Sequence, residues 1–360
     1  MDKKMILSKL PEALLSWYDA GHRELPWRQD KNPYHIWVSE IMLQQTRVEA
    51  VKGYYSRFLA ALPTAEALAN ADDELLLKLW EGLGYYSRAR NLKKAAGVMM
   101  ERYDGQLPAD YEALLSLPGI GAYTAGAIAS IAFGLPEPAV DGNVLRVITR
   151  LCADEDDIMK QTTRNRISDR LRSIYPQEPE SAAAMTQALM ELGEQVCIPN
   201  GAPRCQSCPL GATCLSRAKG LTDVIPHRTP KKDRRMQQRT VFLLLCEGKV
   251  ALRRRGEKGL LSGLWEFPGE ERYLDEAQAI ELLASKGIPC ANILPVADAV
   301  HVFTHVEWHM KGYAVQCREM PTDPNLVFVT PQELKQQYAL PTAFRAFARA
   351  LEAMGERDAP

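Results

Sequence analysis

CIPNGAPRCQSCPLGATC, residues 197–214, holds Cys197, Cys205, Cys208 and Cys214, four of the chain's eight cysteines. Pro209 follows Cys208 directly. Thiolates so spaced converge on one soft metal centre with little backbone strain. Zinc favours two CxxC pairs or added histidines. Here one CxxC has two flanking cysteines, and no histidine follows until His227. That favours an iron–sulfur cluster, and four ligands suit a 4Fe-4S cluster. Two disulfides or a zinc knuckle are the alternatives.

Upstream of this loop the sequence reads as helix after helix. Asn32-Pro33 carries N-cap and N1 chemistry and predicts a helix through Trp37, Ile41 and Val48. Further helical patterns run near 64–81, 87–102, 110–116, 121–133, 142–152, 162–174 and 179–196, punctuated by Pro and Gly. No strand is expected before residue 220. Downstream, residues 220–238 read as a basic linker, and the composition then changes. Arg239–Leu245 (RTVFLLL) and Lys249–Arg253 are strand-like, joined by a turn at Glu247-Gly248. A helix near 275–286, strands near 296–304, 308–317 and 326–329, and a last helix complete an α+β half. The expected fold class is therefore multi-domain, an all-α core with a cluster loop followed by an α+β domain.

The 360 residues carry a net charge of −1, 46% hydrophobic and 25% charged residues, which are ordinary values for a globular protein. No apolar run approaches the roughly 18 residues that span a bilayer. The first residues, Met1–Trp17, lack the unbroken apolar core of a signal peptide. A cytoplasmic monomer with no membrane partner is expected, with Cys152, Cys246, Cys290 and Cys317 as buried thiols. Charge is uneven, however. His227–Arg239 carries six Lys/Arg against one Asp, and Lys160–Arg172 five against one. Such runs either follow a phosphate backbone or form solvated faces.

Leu117-Pro118-Gly119-Ile120-Gly121 joins two helical segments. A tight Gly-x-Gly turn leaves bare amides at the start of the second helix, where phosphate binds without a side chain. Val140-Asp141-Gly142-Asn143 opens another helix, with Asp141 at a natural N-cap. Both readings also allow a plain helix connection and a plain cap.

The hairpin, the following Asp and the four-cysteine loop stand in an order that resembles the helix-hairpin-helix DNA glycosylases of the endonuclease III superfamily. Within it the chain resembles adenine DNA glycosylases of the MutY type. The strings that carry the likeness are Leu25-Pro26-Trp27-Arg28, Ser39–Thr46 (SEIMLQQT), Gly82–Arg88 (GLGYYSR) and Val140–Val144 (VDGNV). The first cysteine interval, seven residues, is one longer than the family's. The resemblance implies a six-helix barrel domain over 26–140. A second helical domain of 1–25 and 141–219 would hold the cluster, and a lesion-recognition domain would span 239–360. The cluster would be structural and shape a DNA-contacting loop, with Arg204 and Arg217 as candidate contacts.

The resemblance implies duplex DNA with A:8-oxoguanine or A:G mispairs as partner and N-glycosidic hydrolysis of adenine as reaction. It also implies base-excision repair in the bacterial cytosol or nucleoid. Adenine leaves poorly as an anion, so a proton must reach it, in this family at N7, and the sugar cation needs a carboxylate. Two carboxyls must therefore differ in pKa. Glu40, amid Trp37, Val38, Ile41, Met42 and Leu43, is assigned as general acid, held protonated by its apolar setting. Asp141 is expected to stay ionised and to stabilise the cation, with Asn143 orienting it. Tyr123 stands where lyase-competent relatives carry a lysine, and a phenol cannot form a Schiff base. Gln45 and Tyr85 match residues that wedge into the stack. Arg28 and Gln187 line the adenine pocket, and Gly119 and Gly121 face phosphate.

The last domain resembles a Nudix domain through Leu260–Gly269 (LLSGLWEFPG). Its counterpart of the metal-binding helix, Ile280–Gly287 (IELLASKG), lacks the arginine and the paired glutamates that hold Mg²⁺. Binding rather than hydrolysis follows. Phe303, Thr304 and His305 match the family's lesion-reading Phe-Ser-His loop, with Thr in place of Ser. Three other functions stand against this reading. Tyr123 opposes a bifunctional glycosylase/lyase, the Glu40–Asp141 pair opposes a non-catalytic iron–sulfur DNA-binding protein or electron carrier, and the missing glutamates oppose a nucleotide pyrophosphohydrolase.

Overall fold

A computed structural model describes residues 2–230 and 233–357. Lys231 and Lys232 of the expected linker, and residues 358–360 of the expected last domain, lie outside the described residues. The helices before residue 220 are α1 (Lys3–Ser8), α2 (Leu10–Ala20), α3 (Pro33–Leu43), α4 (Val48–Ala61), α5 (Ala65–Ala69), α6 (Asp73–Leu79), α7 (Ser87–Arg102), α8 (Tyr111–Leu115), α9 (Ala122–Phe133), α10 (Gly142–Cys152), α11 (Gln161–Arg172), α12 (Pro179–Gln195) and α13 (Leu215–Ala218). Then follow β1 (Arg235–Cys246), β2 (Lys249–Arg254), β3 (Trp265–Glu266), β4 (Gly269–Glu270), α14 (Glu276–Ser285), β5 (Cys290–Val302), β6 (Val306–Cys317), β7 (Leu326–Val329), α15 (Pro331–Gln336) and α16 (Arg345–Arg357). The chain forms two compact units, one of residues 1–71 and 90–230, the other of residues 72–89 and 231–360.

In the helical unit, α9 is the central element. Its run AYTAGAIASIAF is small and apolar on all sides, and Thr124–Ser130 are buried, as befits a helix enclosed by others. Helices α3, α8 and α12 pack on it. Gly126 permits the close approach of the segment leading into α10, since a Cβ there would lie 2.5 Å from the Pro138 carbonyl oxygen. A second cluster joins Ile6, Leu10 and Leu14 to Val144, Ile148, Ile167, Leu171, Met185 and Leu189, so the N-terminal helices share a core with α10, α11 and α12.

Two helix expectations need correction. The helix opened by Asn32, whose side chain accepts from the Tyr34 amide, stops at Leu43 rather than passing Val48. Gln45 has φ 57, a left-handed conformation that breaks the hydrogen-bond ladder before α4 begins. Likewise the pattern at 64–81 divides into α5 and α6, because Asp72 turns extended and caps Glu74. The basic run of α11 is mostly paired with acids: Arg166 and Arg170 with Asp154, and Arg172 with Glu137. It forms a salt-bridged face rather than a free basic stripe.

The second unit is built on a seven-stranded mixed sheet of order β3-β2-β1-β6-β5, with β4 on β1 and β7 on β2. Strand β1 runs parallel to β6. It begins at Arg235, earlier than its apolar run. Val241 and Leu243 point into the core completed by Phe344, Phe347 and Leu351. Phe242, Leu244 and Cys246 point to the opposite core with Ala279 and Leu283 of α14. Burial on both faces explains why the strand reads VFLLLC rather than alternating. Glu247 and Gly248 both have positive φ, the conformation of a two-residue hairpin turn. The Ile280–Gly287 stretch lies on α14 and its end.

Residues 72–89 pack within this unit. Lys78 Nζ donates to the carbonyls of Leu334 and Tyr338, Glu81 accepts from the Leu340 amide, and Glu74 accepts from Trp265 Nε1 at 2.9 Å. A buried carboxylate of the unit is Glu266, 3% exposed, which meets Arg253 at 2.8 Å and also pairs with Arg255. Removing the carboxylate strands those cations. Glu266→Ala is expected to lower the stability of the full chain by about 3–5 kcal/mol in urea unfolding, and an unchanged midpoint would contradict this pairing.

Candidate active site

In the last turn of α3, among buried apolar residues, stands Glu40, which is 5% exposed. Because α3 packs on α9, Glu40 meets the first turn of α9, where the Tyr123 hydroxyl donates to Glu40 Oε2 at 2.7 Å. Burial pushes the Glu40 carboxyl up to about 7; the Tyr123 bond opposes this, the charge of Asp141 adds to it, and Arg28 opposes it. Burial also drives the Tyr123 phenol far above its ordinary value, so it stays a proton donor. Its side chain reaches Met190 as well.

Asp141 is the N-cap of α10. Its Oδ1 accepts from the backbone N–H of Asn143 at 2.8 Å and of Val144 at 2.7 Å, while Oδ2 accepts from Asn143 Nδ2 at 2.8 Å. Burial raises its pKa, against the pull of those N–H bonds and of Arg146. Asp141 is half-buried where Glu40 is buried, and the backbone donors that Glu40 lacks favour its charge against that burial.

Sequence reasoning missed what holds this cap. Arg146, 2% exposed, donates from Nη2 to Asn143 Oδ1 at 2.8 Å and to the Gly193 carbonyl at 2.7 Å, and from Nε to the Cys197 carbonyl at 2.7 Å. One turn on, Arg150 Nη1 donates to Cys197 Sγ at 3.4 Å and to the Ile198 carbonyl at 3.0 Å. Two arginines four apart on an otherwise apolar helix face were the signal available. A third missed residue is Glu191, the one charge between Glu180 and Glu194 of α12. Arg28 Nη2 donates to Glu191 Oε2 at 3.0 Å. Gln187 is also engaged nearby in sequence, accepting from Tyr18 Oη at 3.1 Å, and Arg28 lies over the Tyr18 ring at 5.8 Å.

Among the hairpin glycines, Gly119 has φ 78, and a Cβ there would lie 2.6 Å from that of Asn91. Gly121 is extended and has open space around it, so only the first requires glycine by conformation. No side chain caps α9, and its first amides are bare as expected. Gln45 and Tyr85 both hold positive φ, 57 and 48, strain of the kind that collects at functional positions. Tyr85 is 46% exposed, and its hydroxyl lies 3.2 Å from Thr304 Oγ1. Thr304 and His305 form the exposed turn between β5 and β6. Phe303 instead tucks against Trp308, ring centroids 4.8 Å apart.

Cys197, Cys205, Cys208 and Cys214 line one cavity, with Arg150 and Arg217 beside them. Burial pushes the Cys208 thiol up to about 11, and the other three cysteines add to it. Among the described residues no group of three or more His, Cys, Asp or Glu is arranged for a single metal ion. A cubane sets one thiolate on each of four separate irons around the cluster, so four thiols around a shared cavity fit its donor set. No helix among the described residues is long and apolar enough to cross a membrane.

The helical unit places a glycine hairpin at the start of α9 and two carboxyls, Glu40 and Asp141, whose pKa values burial raises. The HhH-GPD superfamily of base excision DNA repair proteins matches residues 38–173, and a NUDIX domain matches residues 240–350. The chain is 33% identical to an adenine DNA glycosylase of Mus musculus, covering 94% of this chain and 77% of that one. It is 36% identical to an adenine DNA glycosylase of Buchnera aphidicola, covering 71% and 72%. A solved structure of a thermostable thymine-DNA glycosylase is 26% identical, covers 60% of this chain and 98% of its own, and superposes with a TM-score of 0.54. The chain belongs to the adenine DNA glycosylase family.

Glu40 makes a test of the site independent of turnover. Its pKa rises from 4.5 to about 7 on folding. The folded protein therefore keeps a proton that the unfolded chain has released, and the stability this gives at low pH is lost as pH rises through that interval. Glu40→Gln has no such titration. Between about pH 5 and about pH 8 the variant is expected to gain about 2–3 kcal/mol on wild type in urea unfolding. Parallel pH dependences in the two proteins would contradict the burial of the acid.

Proposed function

We propose that the protein removes adenine from A:8-oxoguanine and A:G mispairs in duplex DNA by hydrolysing the N-glycosidic bond, leaving an abasic site and an intact strand. The observation that carries the reading is the pair Glu40 and Asp141. Burial raises the pKa of both, yet of the two Asp141 is the one that accepts backbone N–H donors able to hold a negative charge. The target base leaves the stack to reach them. Glu40 gives its proton to adenine as the C1′–N9 bond breaks, and Tyr123 Oη keeps that carboxyl aimed. Asp141, oriented by Asn143, stabilises the sugar cation until water adds at C1′. With a phenol at Tyr123 there is no amine to open the sugar, which supports base removal without strand cutting.

The same reading takes the helical unit as a barrel domain over 26–140 and a cluster domain of 1–25 with 141–219. Cys197, Cys205, Cys208 and Cys214 hold a 4Fe-4S cluster. When bound, the cluster supplies structure to the loop carrying Arg204 and Arg217 rather than chemistry at the sugar. Gln45 and Tyr85 open the stack, the bare amides after Gly119 and Gly121 take phosphate, and Arg28 and Gln187 line the adenine pocket. The protein works as a monomer on DNA of the bacterial nucleoid.

Two experiments test this. Duplexes holding A opposite 8-oxoguanine, G, C or T are incubated with protein, and abasic sites are cleaved with alkali. Glu40→Gln and Asp141→Asn are each expected to slow single-turnover adenine release by at least ~100-fold with DNA binding retained. A near-normal rate in either removes that residue from the mechanism.

The second concerns the β5–β6 turn, whose exposed Thr304 shares a hydrogen bond with the strained, exposed Tyr85. We assign this turn to lesion recognition. Changing Thr304 and His305 to Ala together is expected to lower the preference for A:8-oxoguanine over A:G by about ten- to a hundredfold, with A:G cleavage falling less. An unchanged ratio of the two rates would show that the lesion is read elsewhere.

A further inference from the structure

We infer that Glu191 is a positioning residue for base release: it anchors the Arg28 guanidinium and offsets the positive charge that Arg28 places beside Glu40. The inference rests on the reading of Glu40 as the general acid. The side chain of Glu191 is 2% exposed, and a carboxylate so hidden persists only with strong partners. It has four. Arg23 donates from Nε at 2.6 Å and from Nη2 at 2.9 Å, Arg28 from Nη2 at 3.0 Å, and Gln195 from Nε2 at 2.6 Å. Burial works to raise its pKa, but the two arginines prevail and hold it below the ordinary glutamate value. It is a fixed negative charge.

Arg28 is fixed in turn. Its Nη1 donates to the Arg23 carbonyl at 3.0 Å, and its guanidinium lies over the Tyr18 ring. The groups that act on Glu40 are Tyr123, Asp141 and Arg28, and Arg28 is the one cation among them. An uncompensated guanidinium beside a buried carboxyl lowers its pKa and spends its proton before adenine arrives. The cluster avoids this by pairing two cations, Arg23 and Arg28, with two carboxylates, Glu191 and Glu194. Glu191→Gln leaves that cluster with a net positive charge and loosens Arg28 at once.

The test is the pH dependence of single-turnover adenine release. The rate depends on protonated Glu40 and falls as pH rises through its pKa. In Glu191→Gln the upper half-point is expected to move down by roughly one unit. In Arg28→Gln it moves up, and in the double variant it stays within about a few tenths of a unit of Arg28→Gln alone, because Glu191 acts through Arg28. Melting temperature and the visible absorbance of the purified protein report folding. If Glu191→Gln does not fold, Glu191→Asp decides. It keeps the charge but withdraws the carboxylate from Arg28, so about a tenfold slower release with a wild-type half-point is expected, whereas a wild-type rate overturns the inference. A folded Glu191→Gln with an unmoved half-point also overturns it. If Glu40→Gln still releases adenine, the general-acid reading fails; if Glu40→Gln is dead and the Glu191→Gln half-point is unmoved, only the role of Glu191 fails.

Discussion

The buried guanidinium of Arg146 ties three parts of the helical unit together. It reaches Asn143 at the start of α10, the Gly193 carbonyl near the end of α12, and the Cys197 carbonyl where the cysteine loop begins. An unpaired buried carbonyl costs about 1–3 kcal/mol, and these bonds pair two. The approach is close enough that Gly193 admits no Cβ: one would lie 2.6 Å from that of Asn143. Asp141 is placed by this junction, since its Oδ2 rests on the Asn143 amide that Arg146 holds. The cysteine loop and the carboxylate are therefore parts of one packed unit, although 56 residues separate Asp141 from Cys197.

Glu40, buried, and Asp141, half-buried, differ in setting because their neighbours differ. Burial lifts both. Glu40 sits within a helix, where backbone N–H groups are already spent on the ladder, and the Tyr123 phenol donates to it. Asp141 sits at a helix start, where N–H groups are free and the dipole favours a negative charge. Helix position thus gives Asp141 backbone donors for a negative charge that Glu40 lacks. The like charge of Asp141 then pushes Glu40 further in the same direction.

The second unit applies a different rule. Its sheet is covered on both faces, so exposed polar groups are left to the turns. The Thr304-His305 turn is one of them, and Tyr85 meets it because residues 72–89 pack within this unit through Glu74, Lys78 and Glu81. Tyr85 needs a left-handed backbone to get there, and Gly84, also at positive φ, bends the chain before it. Such strain persists where surrounding contacts over-determine it.

Local chemistry was legible in the sequence. The Asn32 and Asp141 caps, the Glu247-Gly248 turn, the bare start of α9 and the double-sided burial of VFLLLC follow from residues within a few positions of one another, where propensity, capping and periodicity act. The Glu40 setting was legible too, because its apolar neighbours are on its own helix. What the sequence could not give were contacts over long separations. Arg146 and Arg150 read as ordinary arginines until α12 and the cysteine loop close over them. Glu191 reads as a solvated glutamate until Arg23 and Arg28, more than 160 residues earlier, enclose it. The break at Gln45 was hidden because its cause is a backbone conformation, while the side chains on either side keep a helical pattern. The sequence determined which elements form and which groups can titrate. Only the tertiary structure decided which charges are desolvated together, because burial is a property of the whole packed unit and not of any stretch within it.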